Sequence, residues 1–413
     1  MTGDQAYEGK LRMWKLIFQI FPVAMWVVAF IAVVRPLELS RRGQFAAAAL
    51  FSILLGKVAF FATVGGDAFT PNLPAVVIWG YGWIYAAAIL LIAAAFPFDI
   101  VCYLLGLAKI RVPVRITRGV FAAFAVLAAA LSAWGIYEGV RTPDVNRIEI
   151  AYDDLPQSFD GYRIVHLSDL HCSTSARRPR FERIVERVNA LDADLIAITG
   201  DFVDGLVCER RDDMEPLAHL RARDGVWGCV GNHERYWEWN GWDDALFRLN
   251  IWILAEHRHY AKSVIRRGDD AIALGGLYDP AFFQFTGITS VARDAFREAP
   301  KGAFRILLYH RPHTKEICSE DADVKLQLSG HTHGGAMPGV KWLVARVNEG
   351  HVRGLYEFAK GRYLHVSPGT GQWAGFPLRL FNPTEITEII LRRINRVEQV
   401  EHAESIHDLH GSR

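Results

Sequence analysis

Five short clusters of metal-competent side chains punctuate the second half of the sequence: Asp169-Leu170-His171, Gly200-Asp201, Gly231-Asn232-His233-Glu234, His310, and Gly330-His331-Thr332-His333. Carboxylate, amide and imidazole together form the mixed donor set that suits Mn, Fe, Zn or Co. Taken singly, each cluster has a bland explanation. Gly-Asp behind a strand is a common turn, in which glycine supplies the positive φ and the aspartate bonds its own backbone. Asp-x-His reads equally well as a strand-end cap, and His-Thr-His puts two imidazoles on one face only if it is extended. The clusters gain weight together, because they come in order, each behind a short apolar run, and their donor types complement one another.

Those apolar runs predict the scaffold. Residues 163–168, 194–199, 226–230, 272–276, 304–309 and 325–328 read as strands. Between the first two, Phe181, Ile184, Val185, Val188 and Leu191 fall at helical spacing, with Glu182, Arg183, Glu186 and Arg187 on the other face. Residues 242–249 and 290–297 read as further helices. Strand, helix, strand repetition implies a largely parallel sheet. Ligands in such sheets bind beyond the carboxyl ends of the strands, which is where the clusters lie. Past Gly350 the pattern becomes glycine-punctuated and β-rich, in residues 354–358, 362–367 and 385–391.

The ordered set resembles the calcineurin-like metallophosphoesterases over about residues 165–380. That resemblance implies an α/β fold, a four-layer αββα sandwich in which the β-rich residues after 350 complete the second sheet. It also implies two divalent metal ions: Asp169, His171 and His333 on one, Asn232, His310 and His331 on the other, and Asp201 bridging them. Two cations about 3.5–4 Å apart can stabilise both the attacking and the leaving oxygen at phosphorus, and metal coordination brings the pKa of a water to roughly 7. The expected reaction is therefore cleavage of a phosphate monoester, diester or pyrophosphate by metal-activated hydroxide, with no covalent nucleophile. Ser168 and Cys172 read as packing neighbours. By the same resemblance His233 faces the substrate as proton donor or charge stabiliser. Asp204 is expected to orient a ligand imidazole, and Glu234 to do the same.

The first third is of another kind. Residues 16–34, 45–66, 73–98 and 119–137 are apolar runs long enough to span a bilayer, with Lys57 the one charge inside them. The expected organisation is a four-helix transmembrane anchor over 1–144, a catalytic domain over 145–395 and a polar tail over 396–413, hence a multi-pass integral membrane protein. Lys57 reads as snorkelling or bundle-facing rather than as part of an ion path. Arg35, Arg41 and Arg42 follow the first span, and Lys109, Arg111, Arg115 and Arg118 follow the third, whereas residues 67–72 carry no Lys or Arg. The positive-inside rule puts those two loops in the cytoplasm and the catalytic domain outside, against Lys10, Arg12 and Lys15 in the amino-terminal tail.

A formal net charge of +1 gives no reason to expect nucleic acid, and the basic stretch 177–180 reads as the solvated start of a helix. Five cysteines show neither a disulfide framework nor paired zinc spacing. Two aromatic-rich stretches are candidates for a membrane or substrate surface: Trp237, Trp239 and Trp242 behind the third cluster, and Trp342 and Leu343 behind the fifth. They point to membrane lipids as partners and to an amphiphilic phosphoester as substrate. The competing reading is a silent membrane sensor or scaffold with a metal-binding domain. The intact ligand set favours the enzyme.

Overall fold

The computed structural model describes residues 20–254, 263–282, 291–319 and 322–394. The charged amino-terminal tail and the polar tail expected over 396–413 lie outside the described residues.

Among the described residues, α1 (Ile20–Leu37), α4 (Ala75–Leu107) and α5 (Val114–Val140) are each long and apolar enough to cross a membrane. The second expected span is not one helix. α2 (Arg41–Leu55) and α3 (Lys57–Val64) meet at Gly56 with a bend of 56°. A side chain at Gly56 would press on the Ser52 carbonyl oxygen at 2.7 Å, and Tyr81 of α4 donates its hydroxyl to the Ile53 carbonyl beside the break. α4 and α5 run past the expected spans at the end where Arg118 donates to the Leu37 carbonyl. Both basic loops therefore sit at that end, and α5 runs from it to the soluble domain at the other.

Two six-stranded sheets form the soluble domain. The first has the order β1 (Asp144–Tyr152), β12 (Glu385–Arg393), β2 (Arg163–Leu167), β3 (Leu195–Thr199), β4 (Val226–Cys229), β5 (Ile251–Ile253). The second runs β10 (Gly354–Ala359), β11 (Arg362–Val366), β9 (Leu326–Ser329), β8 (Phe304–Leu308), β7 (Asp270–Gly276), β6 (Val264–Arg267). Ile164, Leu195 and Ile389 of the first sheet meet Ile272, Ile306 and Leu326 of the second in one core between them. The outer face of the first sheet carries α6 (Arg178–Asn189), α7 (Val207–Met214) and α9 (Trp239–Arg248), through Phe181, Ile184, Met214 and Trp242. Short helices at Ala292–Ala295 and Lys315–Ser319 cover the second. The architecture is the four-layer αββα sandwich.

One expectation changes. β10 and β11 do complete the second sheet, but β12 enters the first, parallel to β1 and antiparallel to β2. β1 itself went unread, although Ile148, Ile150 and Tyr152 alternate along it. Period-two alternation says that a strand has a buried face, not which strand lies beside it.

Bundle and sandwich are joined closely. Pro377 and Leu378 sit where a side chain at Gly82 of α4 or Gly135 of α5 would have to be. Phe376 meets the Tyr85 ring edge-on at 6.4 Å. Lys57 faces the bundle interior, as expected: it is buried, lies 4.5 Å from the Phe61 ring centroid, and donates to the Gly375 carbonyl.

Candidate metal centre

Each cluster leaves the carboxyl end of its strand: Asp169 after β2, Asp201 after β3, Asn232 at the start of α8 (Asn232–Tyr236) after β4, His310 after β8, and His331 with His333 after β9. β2, β3 and β4 belong to one sheet and β8 and β9 to the other, so the site is assembled across the sandwich. Six of the seven expected ligands converge, and the seventh, Asn232, sits between Gly231 and His233, whose backbones both approach Asp201. His171 Nε2 lies 3.2 Å from His333 Nε2 and 4.0 Å from Asp169 Oδ1. His310 Nε2 lies 3.2 Å from His331 Nδ1. Asp201 Oδ2 stands between the two groups, 3.2 Å from His310 Nε2 and 3.8 Å from His171 Nε2.

The backbone is bent to achieve this. Asp169, His171, Asp201, His331 and His333 all have positive φ, between 46° and 68°. Few non-glycine residues adopt that region, and holding five there stores strain that the surrounding hydrogen bonds must offset. Two glycines of the motifs are explained by close approach: a Cβ at Gly330 would collide with Ser168 Oγ and Asp169, and one at Gly231 with Asp201.

The donor set fits cations. Two pairs of imidazole nitrogens face each other, and a carboxylate oxygen is shared between them. Asn232 Oδ1 is buried with no hydrogen-bond partner among the described residues, a costly state for an amide oxygen unless it accepts from something the protein does not supply. Asp169, His171 and His333 form one compact group, and Asp201, His310 and His331 another.

The family model of calcineurin-like phosphoesterases matches residues 162–335, ending just past His333. This part of the chain is a calcineurin-like phosphoesterase domain. Among curated relatives, the chain is 34% identical over 274 residues to a transmembrane protein with metallophosphoesterase domain from Danio rerio, covering 65% of this chain and 62% of that protein. It is 32% identical over 273 residues to the protein of the same name from Bos taurus, covering 65% and 61%. An uncharacterized metallophosphoesterase from Helicobacter pylori is 29% identical over 262 residues, covering 62% and 66%. The chain thus spans 62% and 61% of the length of the first two relatives. Relatives named as transmembrane, together with the apolar helices, make this a membrane protein.

Around the expected ligands lies a buried network. Asp204 holds two imidazoles: its Oδ2 is 3.1 Å from His171 Nδ1 and its Oδ1 is 2.5 Å from His233 Nδ1. Glu234 departs from expectation. Its carboxylate accepts the backbone N–H groups of Asp201, Phe202 and Gly231 and touches no imidazole, because α8 turns it toward the strand-end loops. Ser168 is more than a packing neighbour. Thr199 donates to Ser168 Oγ at 2.8 Å and Ser168 donates to Asp169 Oδ2 at 2.6 Å. With the Thr199 hydroxyl so committed, His166 Nε2–H must donate to Thr199 Oγ1, leaving His166 Nδ1 to accept from His365 Nδ1–H.

The metal-free electrostatics are those of an anionic site lined by imidazoles. Burial alone would raise Asp201, but His310 and His233 hold it well below the usual carboxylate range. Burial likewise opposes ionisation of Asp204, yet His233 and His171 bring it to about 2. Burial works against the cations too, but Asp201 and its neighbours raise both His233 and His310 to about 10. His331 and His333 go the other way, depressed by burial and by Arg311 and Arg379 respectively.

Arg379 was not singled out in the sequence, yet it is almost fully buried and donates to His333 Nδ1, the Gly371 carbonyl and Gln372 Oε1. Its signal was a lone charge inside the apolar run 374–380. Arg180 corrects the reading of 177–180 as solvated: it is buried and donates to the carbonyls of Val140 and Thr370, tying the end of α5 to the site. The first aromatic stretch is also corrected. Trp242 is fully buried and Trp239 nearly so, both in the core of the first sheet, because α9 turns them inward; Trp237 is half-buried. Trp342 and Leu343 are 66% and 45% exposed.

Proposed function

We propose that this chain is a membrane-anchored dinuclear-metal phosphohydrolase that cleaves phosphate mono- or diester or pyrophosphate bonds. The observation that carries the proposal is the shared position of Asp201 Oδ2 between two imidazole groups; the buried, unpartnered Asn232 Oδ1 supports it. Asp169, His171, His333 and Asp201 would hold one cation, and Asp201, Asn232, His310 and His331 the other. Such a pair, when bound, supplies Lewis acidity to the phosphoryl oxygens and lowers the pKa of water. Mn, Fe, Zn and Co all suit these donors.

The chain's own groups do the rest. Asp204 fixes the ring of His233 through Nδ1, so that Nε2 points into the site, 3.9 Å from Asp201 Oδ2. Its side chain is 12% exposed, enough for an ester oxygen to reach it. Flanked by two carboxylates, which raise it to about 10 in the absence of metal, His233 can carry a proton to the leaving oxygen. Asp169 is braced by Ser168, and His333 by Arg379.

An amphiphilic, lipid-linked substrate fits the placement of the domain. Helix Lys341–Val347 presents Trp342, Leu343 and Val347 to solvent, while Met337 just before it packs against a cluster of Ala86 and Ile136 of the bundle with Leu378 and Leu380. An exposed apolar helix that follows such a contact with the bundle would bed into the bilayer boundary. With both basic loops at the far end of the bundle, the positive-inside rule directs the catalytic domain outward.

Purified protein stripped of metal and reloaded with Mn is expected to hydrolyse a chromogenic phosphomonoester or diester, and Asp201→Ala and His233→Ala to be far slower. Metal uptake with no turnover in either assay would point instead to a silent sensor. Trp342→Ser with Leu343→Ser should impair lipid-linked substrates far more than soluble ones; equal loss on both would discredit the lipid reading.

A further inference from the structure

The loop between α3 and α4, residues 65–74, reaches the phosphoesterase domain. Thr174 donates to the Pro71 carbonyl at 3.2 Å, and Arg210 to Asn72 Oδ1 at 3.4 Å. Asp67 Oδ1 accepts the backbone N–H groups of Phe69 and Thr70 and so fixes the loop's turn. The Phe69 ring stacks on Trp373, with centroids 5.9 Å apart and planes at 12°. Trp373 in turn stands edge-on to His233 at 6.1 Å, and Tyr236 lies 5.5 Å from the same imidazole. A residue of the membrane anchor is therefore one ring away from the expected proton donor.

We infer that the 65–74 loop is one wall of the substrate cleft, and that Phe69 and Trp373 select an apolar substituent on the phosphorus. The placement of both rings carries this. A phosphorus held at the metal groups, with its leaving oxygen at His233, directs the rest of the ester past Trp373 and Phe69. Both residues are half-buried rather than sealed in the core. The loop lies at the end of the bundle where α5 passes into β1, the bilayer boundary on the domain's side. A substituent that follows it leaves the cleft into lipid. The Trp373 segment is held in register from both sides, by Lys57 on the Gly375 carbonyl and by Arg379 on the Gly371 carbonyl and Gln372 Oε1. The inference rests on the phosphohydrolase proposal for where the phosphorus sits.

Binding without turnover tests it. Full-length protein in lipid nanodiscs, loaded with Mn, is titrated calorimetrically with methyl-, butyl- and phenylphosphonate. Butyl- and phenylphosphonate are expected to bind about tenfold more tightly than methylphosphonate, the gain from burying one or two apolar groups. Phe69→Ala should bring all three within about twofold of one another. Phe69→Leu, which keeps apolar bulk, should retain the butyl preference and lose at least about threefold of the phenyl preference. Phe45→Ala, on the exposed side of α2, should change nothing. Equal affinities in the unsubstituted protein, or an unchanged phenyl preference in both Phe69 variants, would overturn the inference. Hydrolysis decides the other question: selective binding without turnover keeps the wall and sinks the enzyme, and turnover without selectivity does the reverse.

Discussion

The carboxylate of Asp204 holds His233 at 2.5 Å through one oxygen and, through the other, the expected ligand His171 at 3.1 Å. One buried side chain thus sets the rings of both the expected proton donor and an expected metal ligand. Asp204→Asn should lower kcat/KM by about 10- to 100-fold, the usual cost of losing such a partner. Because the two groups act as a unit, adding His233→Ala to Asp204→Asn should cost much less than His233→Ala alone. Fully additive losses in steady-state kinetics would show that Asp204 serves His171 only.

Buried Asn232 Oδ1 accepts no hydrogen bond among the described residues. Asn232→Ala is expected to reduce bound metal from two equivalents to about one, read by elemental analysis after desalting, and to leave the Asp169, His171 and His333 group loaded. Two retained equivalents would remove Asn232 from the ligand set.

Arg379 spends its guanidinium on Gln372, on the carbonyls of Pro368, Gly371 and His333, and on the His333 ring. Lysine cannot reproduce that fork. Arg379→Lys should therefore weaken metal retention and destabilise the domain by about 2–3 kcal/mol, the cost of leaving buried carbonyls unmet. Chelator titration and thermal unfolding report the two effects separately.

His365 is buried against His166, and burial, with Arg353 adding to it, brings its pKa from 6.5 to about 3. A folded-state pKa below the unfolded one means that its contribution is fully present above pH 6.5 and is lost as pH falls toward 3. One pH unit corresponds to about 1.4 kcal/mol per group, so lowering pH from 6.5 to 5 should cost about 2 kcal/mol through His365. His365→Asn should flatten that slope of unfolding free energy by about one proton.

Two tryptophans from the two aromatic stretches should behave oppositely. Trp242 is fully buried and donates its indole N–H to the Gly205 carbonyl, so Trp242→Ala should cost about 3–5 kcal/mol. Trp342 is exposed, and Trp342→Ser should stay within about 0.5 kcal/mol in thermal unfolding while weakening membrane contact.

Much of this was legible in the chain. The ligand positions, the parallel strands feeding them and the apolar helices follow from residue type and local period, which act over a few residues. The bend at Gly56 was not legible, because α2 and α3 together carry the composition of one span and only the fit against Tyr81 shows the break. The sheet to which β12 belongs was equally silent, since either sheet would bury its apolar face.

By itself the sequence determined which groups can bind metal and which segments suit lipid, because donor chemistry and hydropathy are properties of single residues and short runs. Only the tertiary structure decided that Glu234 braces backbone instead of a ligand, that Trp239 and Trp242 are core, and that Arg379 and Phe69 stand at the site. Those assignments depend on which way a side chain faces and what lies across from it. Residues hundreds of positions apart, such as Phe69 and Trp373, become neighbours only when the bundle and the sandwich close on each other.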